Sequence, residues 1–274
     1  MKLGLIGTAT YRGKPSAVPA EVSAVLSPSD RAQVYLSALN VFPRDALELK
    51  LLEVGYIDAG LRAAADGNEA LVINSMGDYG LAALRAGAGV PVLGSGEAGL
   101  RKAASLGGKF AIVTVWPEST AFLYRQLLRE AGLESRCAAV LHVGQQAELE
   151  SIVRGTAGDA HYVARMQGGD ATMLDRVVQA CEQAVRQHGA ASILLGCTCM
   201  SPVAAKIAAR VSVPVVDSLV EAIGCALRGD VKAQARPFSY ARRDATFAAM
   251  AQTGKQSVKD EVCEVCVVAE EAAQ

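Results

Sequence analysis

An internal repeat constrains the fold of this chain more than any other feature of its sequence. Residues 70–98 read ALVINSMGDYGLAALRAGAGVPVLGSGEA, and residues 191–222 read ASILLGCTCMSPVAAKIAARVSVPVVDSLVEA. Both blocks contain an apolar strand, a polar turn, a short helix and a Val-Pro-Val strand, and both end in Glu-Ala. Two unrelated strand–helix units could share some of these landmarks, but here the landmarks keep their order and spacing. The two copies recur with a period of over 100 residues, far more than the roughly 20–50 residues of a solenoid unit, so the repeat predicts a duplicated lobe.

The pattern of apolar runs predicts an α/β fold with parallel sheets. Short runs rich in Val, Ile and Leu are too continuous for half-solvated strands, which favours strands that are buried on both faces. We predict such strands at residues 3–6, 70–73, 110–115, 138–143, 192–195 and 213–216. Segments of helical period lie between them, at residues 81–86, 118–131 and 171–188. Alternation of this kind predicts parallel sheets with right-handed crossovers.

The composition limits the classes of partner and the cellular compartment that we expect for this protein. The 27 Lys and Arg residues nearly balance the 28 Asp and Glu residues, so a nucleic-acid partner is not expected. No apolar run approaches the roughly 20 residues that span a bilayer, and the amino-terminal run is too short for a signal peptide. Seven cysteines, an odd number, argue against a disulfide framework, so we expect a cytoplasmic protein without a membrane partner. The sequence has no GxGxxG or P-loop pattern and no metal-ligand spacing of histidines, so we expect no cofactor and no metal.

The candidate site lies at the two strand-to-helix turns of the repeat. In open parallel sheets the functional loops lie at the carboxyl ends of strands, so the turns around Ser75 and Cys197 are expected to face one cleft. Ser201 is predicted to cap the helix that follows the second turn, and Asp78 the helix that follows the first. Cys197 and Thr198 would then lie beside a helix amino terminus, which lowers the pKa of a thiol and binds carboxylates.

Each of these interpretations has a simpler alternative. Cys197 could be a buried structural thiol, because free cysteines are common in cores. Cys199 is the weaker candidate, since its side chain is expected to point towards the helix packing. Ser75 could be a solvated serine that caps the following helix. The pair Cys263 and Cys266 has no second pair to complete a metal site, so we interpret it as structural.

At these turns the sequence resembles the aspartate/glutamate/hydantoin racemase superfamily. The segment LLGCTCMSPV is similar to the second catalytic turn of that family, which is Leu-Gly-Cys-Thr followed by a helix start. NSMGDYGLAALR is similar to the hydantoin-racemase form of the first turn, in which a cysteine is followed by an aromatic residue, Gly-Asp, Pro and Gly. The resemblance implies two similar flavodoxin-like lobes with parallel sheets, related by a pseudo-two-fold axis, and an active site in the cleft between them. It also implies that residues 1–97 and 216–274 form lobe 1 and that residues 98–215 form lobe 2.

The resemblance implies a cofactor-independent reaction as well. In this family a thiolate removes the α-proton of the substrate, and a residue on the opposite face returns a proton. Cys197 would be that thiol, in a racemase or epimerase of a small amino acid, a hydantoin or a related carboxylate. Ser75 stands where the family has its first cysteine, and a serine hydroxyl is a far weaker acid than a thiol. Two alternatives therefore stay open: a one-cysteine decarboxylase or isomerase similar to arylmalonate decarboxylase or maleate isomerase, and a non-catalytic small-molecule binding protein.

Further site residues and the partners follow from the same resemblance. The residues expected to contact the substrate are Thr198, Asn74, Met76, Thr8, Thr114, Trp116, Ser119 and Thr120. Trp116, the only tryptophan of the chain, could instead be a loop aromatic that covers the core. The expected partner is a small-molecule carboxylate, and because relatives are often dimers or larger, the resemblance also implies a homo-oligomer.

Overall fold

The first sheet of the protein has four parallel strands in the order β2-β1-β3-β4. The computed structural model describes residues 1–8, 17–39, 42–153, 171–233 and 240–253. The strands are β1 (Lys2–Thr8), β2 (Arg31–Ser37), β3 (Ala70–Ile73) and β4 (Val92–Gly94). The helices of this half are α1 (Ala20–Val25), α2 (Ala46–Ala65), α3 (Leu81–Gly87) and α4 (Ser95–Ser105). Successive residues of β3 pack into two different core clusters, so this strand is buried on both faces, as its unbroken apolar run predicts.

The second sheet repeats this arrangement with the order β6-β5-β7-β8, again with all strands parallel. Its strands are β5 (Lys109–Thr114), β6 (Cys137–His142), β7 (Ala190–Leu195) and β8 (Val215–Val216). The helices are α5 (Ala121–Ala131), α6 (Gln146–Val153), α7 (Ala171–His188), α8 (Ala204–Ala208) and α9 (Ser218–Arg228). Short 3-10 helices cover Glu118–Thr120, Glu134–Arg136 and Thr198–Val203. Two four-stranded parallel sheets of the same strand order confirm the predicted α/β class with two similar lobes.

Two helices each follow a strand of one sheet and pack against the other sheet. Helix α9 follows the last strand of the second sheet, yet Leu219 and Ile223 are buried in the same cluster as Leu3 and Leu5 of the first sheet. Full burial of such a side chain stabilises the fold by about 1.5–3 kcal/mol. Helix α4 in turn buries Leu100 against the second sheet. Both sheets therefore lie in one compact unit, Met1–Arg236, and the lobe boundaries at residues 97 and 216 stay a prediction.

A second compact unit comprises Pro237–Gln274. Its described part is the helix α10 (Tyr240–Thr253). Among the helices of the described ranges, none is both long and apolar enough to cross a membrane.

Two strands differ from the sequence prediction. Strand β2 has no counterpart among the predicted strands, because its RAQVYLS sequence lies at the sheet edge and its side chains are mostly exposed or half-buried. It therefore lacks the unbroken apolar run that marks the inner strands. Strand β8 covers only Val215–Val216 instead of residues 213–216, because Pro214 has no N–H group with which to extend the ladder.

Candidate active site

The carboxyl ends of β3 and β7 bring two polar turns together. Residues 74–80 follow β3 and are called the first turn; residues 196–201 follow β7 and are called the second turn. The Thr198 hydroxyl donates a hydrogen bond of 3.5 Å to the carbonyl oxygen of Asn74, which joins the turns directly. Two predicted site residues are thus in contact. Ser75 follows Asn74 and Cys197 precedes Thr198, so these two residues flank the bond that joins the turns.

A hydroxyl network fixes the backbone of the second turn. The buried Tyr124 hydroxyl donates to the carbonyl oxygen of Gly196 over 2.8 Å. Its oxygen is also 2.5 Å from Thr114 Oγ1, and because the tyrosine proton is already used, Thr114 is the donor of that bond. A Cβ at position 196 would lie 2.7 Å from the Cβ of Thr114, so the turn approaches β5 as closely as a glycine allows. The backbone that carries Cys197 is therefore held at a defined position relative to β5.

The Cys197 sulfur is surrounded by hydrogen-bond donors. The residue lies at the N-cap of the helix Thr198–Val203, and its Sγ accepts from the backbone N–H of Cys199 over 3.2 Å. A hydrogen bond from the Cys199 thiol is the largest cause that lowers the pKa of Cys197, and the Cys199 N–H and the Trp116 side chain lower it further against the effect of burial. The same bond raises the pKa of Cys199 well above its usual value. Cys197 is therefore the thiol that ionises, and Cys199 stays protonated as its donor.

Two side chains of the second turn lie differently from what the sequence predicts. Cys199 packs against the core cluster of the second half, as expected, but its thiol is also a hydrogen-bond partner of Cys197 and so does not point away from the site. Ser201 is predicted as an N-cap, but it lies inside the short helix Thr198–Val203. Its hydroxyl donates to Asp217 Oδ1 over 2.8 Å instead. In both cases a partner that lies close in space decides the conformation.

The first turn contains a serine hydroxyl and a buried tyrosine. Ser75 Oγ accepts from the backbone N–H of Gly77 over 3.2 Å, and a hydrogen bond with the Ser75 side chain acts to lower the pKa of Tyr79. Tyr79 is 8% exposed, and its ring packs edge-on against Tyr56 with 5.1 Å between the ring centroids. Burial is the main cause that raises the pKa of Tyr79 well above its usual value, and the nearby Cys197 sulfur adds to the rise. Tyr79 is therefore a neutral phenol.

Asp78 of the first turn caps a different helix from the one predicted. Helix α3 begins after Gly80 and has no side-chain cap, so neither Ser75 nor Asp78 caps it. The Asp78 carboxylate instead accepts from the N–H groups of Gly96 and Glu97, at 2.8 and 2.6 Å, in the first turn of α4. Burial raises the pKa of Asp78 to about 7, although both N–H groups oppose the rise. The first turn is thereby fixed to the start of α4.

In the second half, the carboxylate that caps the equivalent helix, α9, comes from the N-cap residue of the helix and not from the turn. Asp217 lies at the N-cap of α9 itself and accepts from the N–H groups of Leu219 and Val220, at 3.0 and 3.3 Å. The second turn contributes Ser201, which donates to that carboxylate. In the first half the turn supplies the carboxylate, and the N-cap position of α4 is Gly94, where a Cβ would overlap the Asp78 carboxylate.

The other predicted residues near the second turn bond mainly to their own surroundings. Trp116 is half-buried and packs on the ring of Phe42, with 4.6 Å between the ring centroids. Ser119 Oγ donates to the Gln146 side chain over 2.7 Å, and Thr120 Oγ1 donates to a backbone carbonyl three residues earlier. Of these, Trp116 alone interacts with the Cys197 sulfur.

Three predicted features fall elsewhere or outside the described residues. Met76 is 5% exposed and packs in a core cluster, so its side chain is covered. Thr8 ends β1, but its side chain lies outside the described part of the chain, as do Cys263 and Cys266. Within the described ranges, no group of three or more His, Cys, Asp or Glu residues could hold a metal ion.

Sequence reasoning missed both Tyr79 and Tyr124 as residues of the candidate site. Neither residue carries a local signal, because their partners lie in another element or depend on how the turn folds back. A buried tyrosine hydroxyl does need a partner, so a tyrosine among apolar residues near one of the two candidate turns is the signal that could have been used.

Comparison with known proteins identifies the family. The family model described as Asp/Glu/Hydantoin racemase matches residues 27–226. The chain belongs to this family. A hydantoin racemase from Paenarthrobacter aurescens is 31% identical over 151 residues, which cover 54% of this chain and 56% of that protein. The match thus spans a little over half the length of that relative.

Solved structures show the same fold. The allantoin racemase from Pseudomonas fluorescens has a TM-score of 0.71 at 24% identity, covering 85% of this chain and 94% of that one. Arylmalonate decarboxylase has a TM-score of 0.57 at 19% identity, covering 86% of this chain and 96% of that one. The fold of the two-sheet unit is therefore that of the racemase family.

Proposed function

We propose that this protein is a cofactor-independent racemase or epimerase of a small hydantoin, amino acid or related carboxylate, with Cys197 as a proton-transfer residue. The observation that carries the proposal is the environment of the Cys197 sulfur. Its Sγ accepts from the Cys199 N–H over 3.2 Å at the N-cap of the helix Thr198–Val203, and hydrogen bonds from the Cys199 thiol, the Cys199 N–H and Trp116 lower its pKa although burial opposes ionisation. A thiol whose pKa lies closer to neutrality is a more effective general base. Family membership and the matching hydantoin racemase support the same chemistry.

The proposed step begins with the thiolate of Cys197. Its sulfur takes the proton from the α-carbon, the C–H electron pair passes into the adjoining carbonyl, and an enolate forms. A proton delivered to the opposite face then gives the other enantiomer. Asn74 supports a substrate that carries N–H groups, because its buried Oδ1 has no hydrogen-bond partner among the described residues. A buried acceptor without a partner is costly, and an N–H group of a hydantoin ring would satisfy it.

A second candidate function is favoured by the serine of the first turn. Ser75 offers a hydroxyl where a two-thiol racemase needs a second acid and base, and a hydroxyl exchanges protons poorly at neutral pH. A decarboxylase or isomerase with one cysteine needs only Cys197. In the decarboxylase, loss of CO2 leaves an enolate that Cys197 protonates once.

A reaction in heavy water separates these candidates. The purified protein is incubated with single enantiomers of 5-benzylhydantoin, allantoin, aspartate and glutamate, and with phenylmalonate; α-proton signals, optical rotation and CO2 are followed. Exchange with loss of optical rotation supports racemisation, and CO2 release with uptake of one deuteron supports the decarboxylase.

Two cysteine variants make the test specific. Cys197→Ala is expected to abolish turnover, whereas Cys181→Ala, which removes a fully buried thiol of the same half, is expected to retain it. Turnover that survives in Cys197→Ala would refute the catalytic assignment. If no substrate reacts but one of them protects Cys197 from alkylation, the protein is a binding protein.

A further inference from the structure

We infer that Asp78 is a positioning residue that sets the separation of the two turns: its carboxylate fastens the first turn to α4, and α4 rests on the strand that leads to Cys197. The inference rests on the proposed function, because the separation of the turns matters only if both of them act on one substrate. The separation itself can be measured without turnover, so the inference and the proposed function can fail separately.

The hydrogen bond that joins the turns is too weak to fix their separation. The Thr198 hydroxyl donates to the carbonyl oxygen of Asn74 over 3.5 Å, which is longer than the roughly 2.5–3.0 Å of an ordinary hydroxyl–oxygen hydrogen bond. Both partners are neutral, and a neutral hydrogen bond contributes little net free energy. Ser75 and Cys197 flank this bond, so another part of the protein must hold these two residues in register.

The carboxylate of Asp78 fastens the first turn to α4. Its two oxygens accept from the N–H groups of Gly96 and Glu97, at 2.8 and 2.6 Å, and the residue is buried. The Asp78 N–H donates to the carbonyl oxygen of Ser75 over 3.3 Å, so the fastening reaches Ser75. A Cβ on Gly96 would overlap the carbonyl oxygen of Met76, so the backbone of the turn also lies directly on the helix.

The same helix lies on the strand that carries the second turn. A Cβ on Gly99, further along α4, would be 2.8 Å from the Leu194 side chain of β7, the strand that leads to Cys197. Leu100 of α4, Met76 of the first turn and Leu194 are buried in one core cluster. Because a packed interior deforms little, α4 transmits the position of the first turn to β7.

The backbone of Asp78 depends on this fastening. Its φ of 47° lies in the left-handed region, which residues other than glycine rarely adopt, although Asp and Asn enter it more readily than most. Such a conformation persists only where the surrounding structure imposes it, and the two N–H groups of α4 do so here. Asparagine or glycine at this position therefore keeps the backbone while it weakens or removes the fastening.

The test is an intramolecular cross-link between the turns. In a Ser75→Cys background, the short bifunctional reagent dibromobimane links the new thiol to Cys197, and peptide mapping gives the ratio of cross-linked to singly alkylated Cys197. The reactions are run above the pKa of Asp78, which is about 7, so that the carboxylate is ionised.

The two Asp78 variants are expected to give a graded loss. Asp78→Asn loses one of the two hydrogen bonds, so the cross-link ratio is expected to fall about three- to tenfold; Asp78→Gly loses both, so the ratio is expected to fall further. With Ser75 in place, kcat for inversion of 5-benzylhydantoin is expected to fall in the same order, because misplaced groups react slowly. The pH midpoint of Cys197 alkylation is expected to stay constant, since both variants leave the donors of its sulfur in place.

Glu97→Gln is the matched control. It removes the neighbouring carboxylate at the same helix start, which is paired with Arg85 and Arg101, but it leaves the fastening intact, because Asp78 accepts from the backbone N–H of residue 97. The cross-link ratio and kcat are expected to match those of the parent proteins.

An unchanged cross-link ratio in both Asp78 variants would overturn the inference, even if kcat fell, because the role of Asp78 would then be merely structural. The absence of a cross-link in the Ser75→Cys parent, or an equal loss in Glu97→Gln, would overturn it too. If Asp78→Gly does not fold, Asp78→Asn decides. Turnover that survives in Cys197→Ala would instead remove the proposed function and leave the cross-link result standing.

Discussion

The Cys199 thiol is predicted to control the ionisation of Cys197, and Cys199→Ala tests this directly. Cys197 receives hydrogen bonds from the Cys199 thiol, the Cys199 N–H and Trp116, and the thiol bond is the strongest influence of the three. Alanine removes that bond and leaves the other two. A hydrogen bond to a charged group contributes about 1.5–3 kcal/mol, so the ionisation constant of Cys197 is expected to fall roughly ten- to hundredfold.

The assay is the rate of iodoacetamide alkylation as a function of pH. Peptide mapping by mass spectrometry is needed to follow Cys197 separately, because the chain has seven cysteines. The midpoint of the rate profile should move to higher pH in Cys199→Ala. At neutral pH the rate should fall only about three- to tenfold, because a more basic thiolate is also a stronger nucleophile.

Cys181→Ala is the matched control for this prediction. Cys181 is fully buried in the second half, and burial raises its pKa to about 12, so it does not compete for the reagent. Its removal should leave the Cys197 midpoint unchanged. A midpoint that is also unchanged in Cys199→Ala would refute the reasoning, since the donor would then have no effect on the thiolate.

Three further predictions concern the framework of the site. Tyr124→Phe leaves the Gly196 carbonyl without its donor, so thermal unfolding should show a loss of about 1–3 kcal/mol together with a lower kcat. Gly94→Ala should lower the free energy of unfolding in urea by about 1–3 kcal/mol, because its Cβ would overlap the Asp78 carboxylate. Gly7→Ala should change it far less, because its Cβ would lie 3.9 Å from the Cβ of Asn74, an ordinary contact distance. The folded pKa of Asp78 is about 7, above the ordinary value of 3.8, so the native state favours the protonated form. The free energy of unfolding of the wild type, relative to that of Asp78→Asn, should therefore fall as pH rises from 5 to 7 and level off above 7. A rise over that interval would contradict the assignment.

The sequence predicted best where the physics is local. Strand β3 was expected at residues 70–73 and has those bounds, because four consecutive apolar residues can be buried only between two covering layers. The same holds for α5, which ends before Gly132 in the left-handed conformation (φ 66°) that favours glycine. The repeat predicted two similar lobes, and the two sheets have the same strand order.

The prediction was weaker where partners are distant in the chain. The capping roles expected for Ser201 and Asp78 were wrong, because each side chain bonds to a group 16 or more residues away. The Cys199 side chain was placed on the packing side for the same reason: a local pattern does not show that its thiol meets Cys197. The residues proposed to bind substrate stay predictions, although Asn74 and Thr198 are in contact.

The capping carboxylate of α4 comes from the first turn, whereas that of α9 comes from its own N-cap residue, and this difference restricts how the two halves can diverge or be recombined. Each helix start is capped by one carboxylate, which the turn supplies in one half and the N-cap residue supplies in the other. Grafting only the turn of one half onto the other would put two negative groups together or leave none, so a viable chimera must carry turn and helix start as one inherited block.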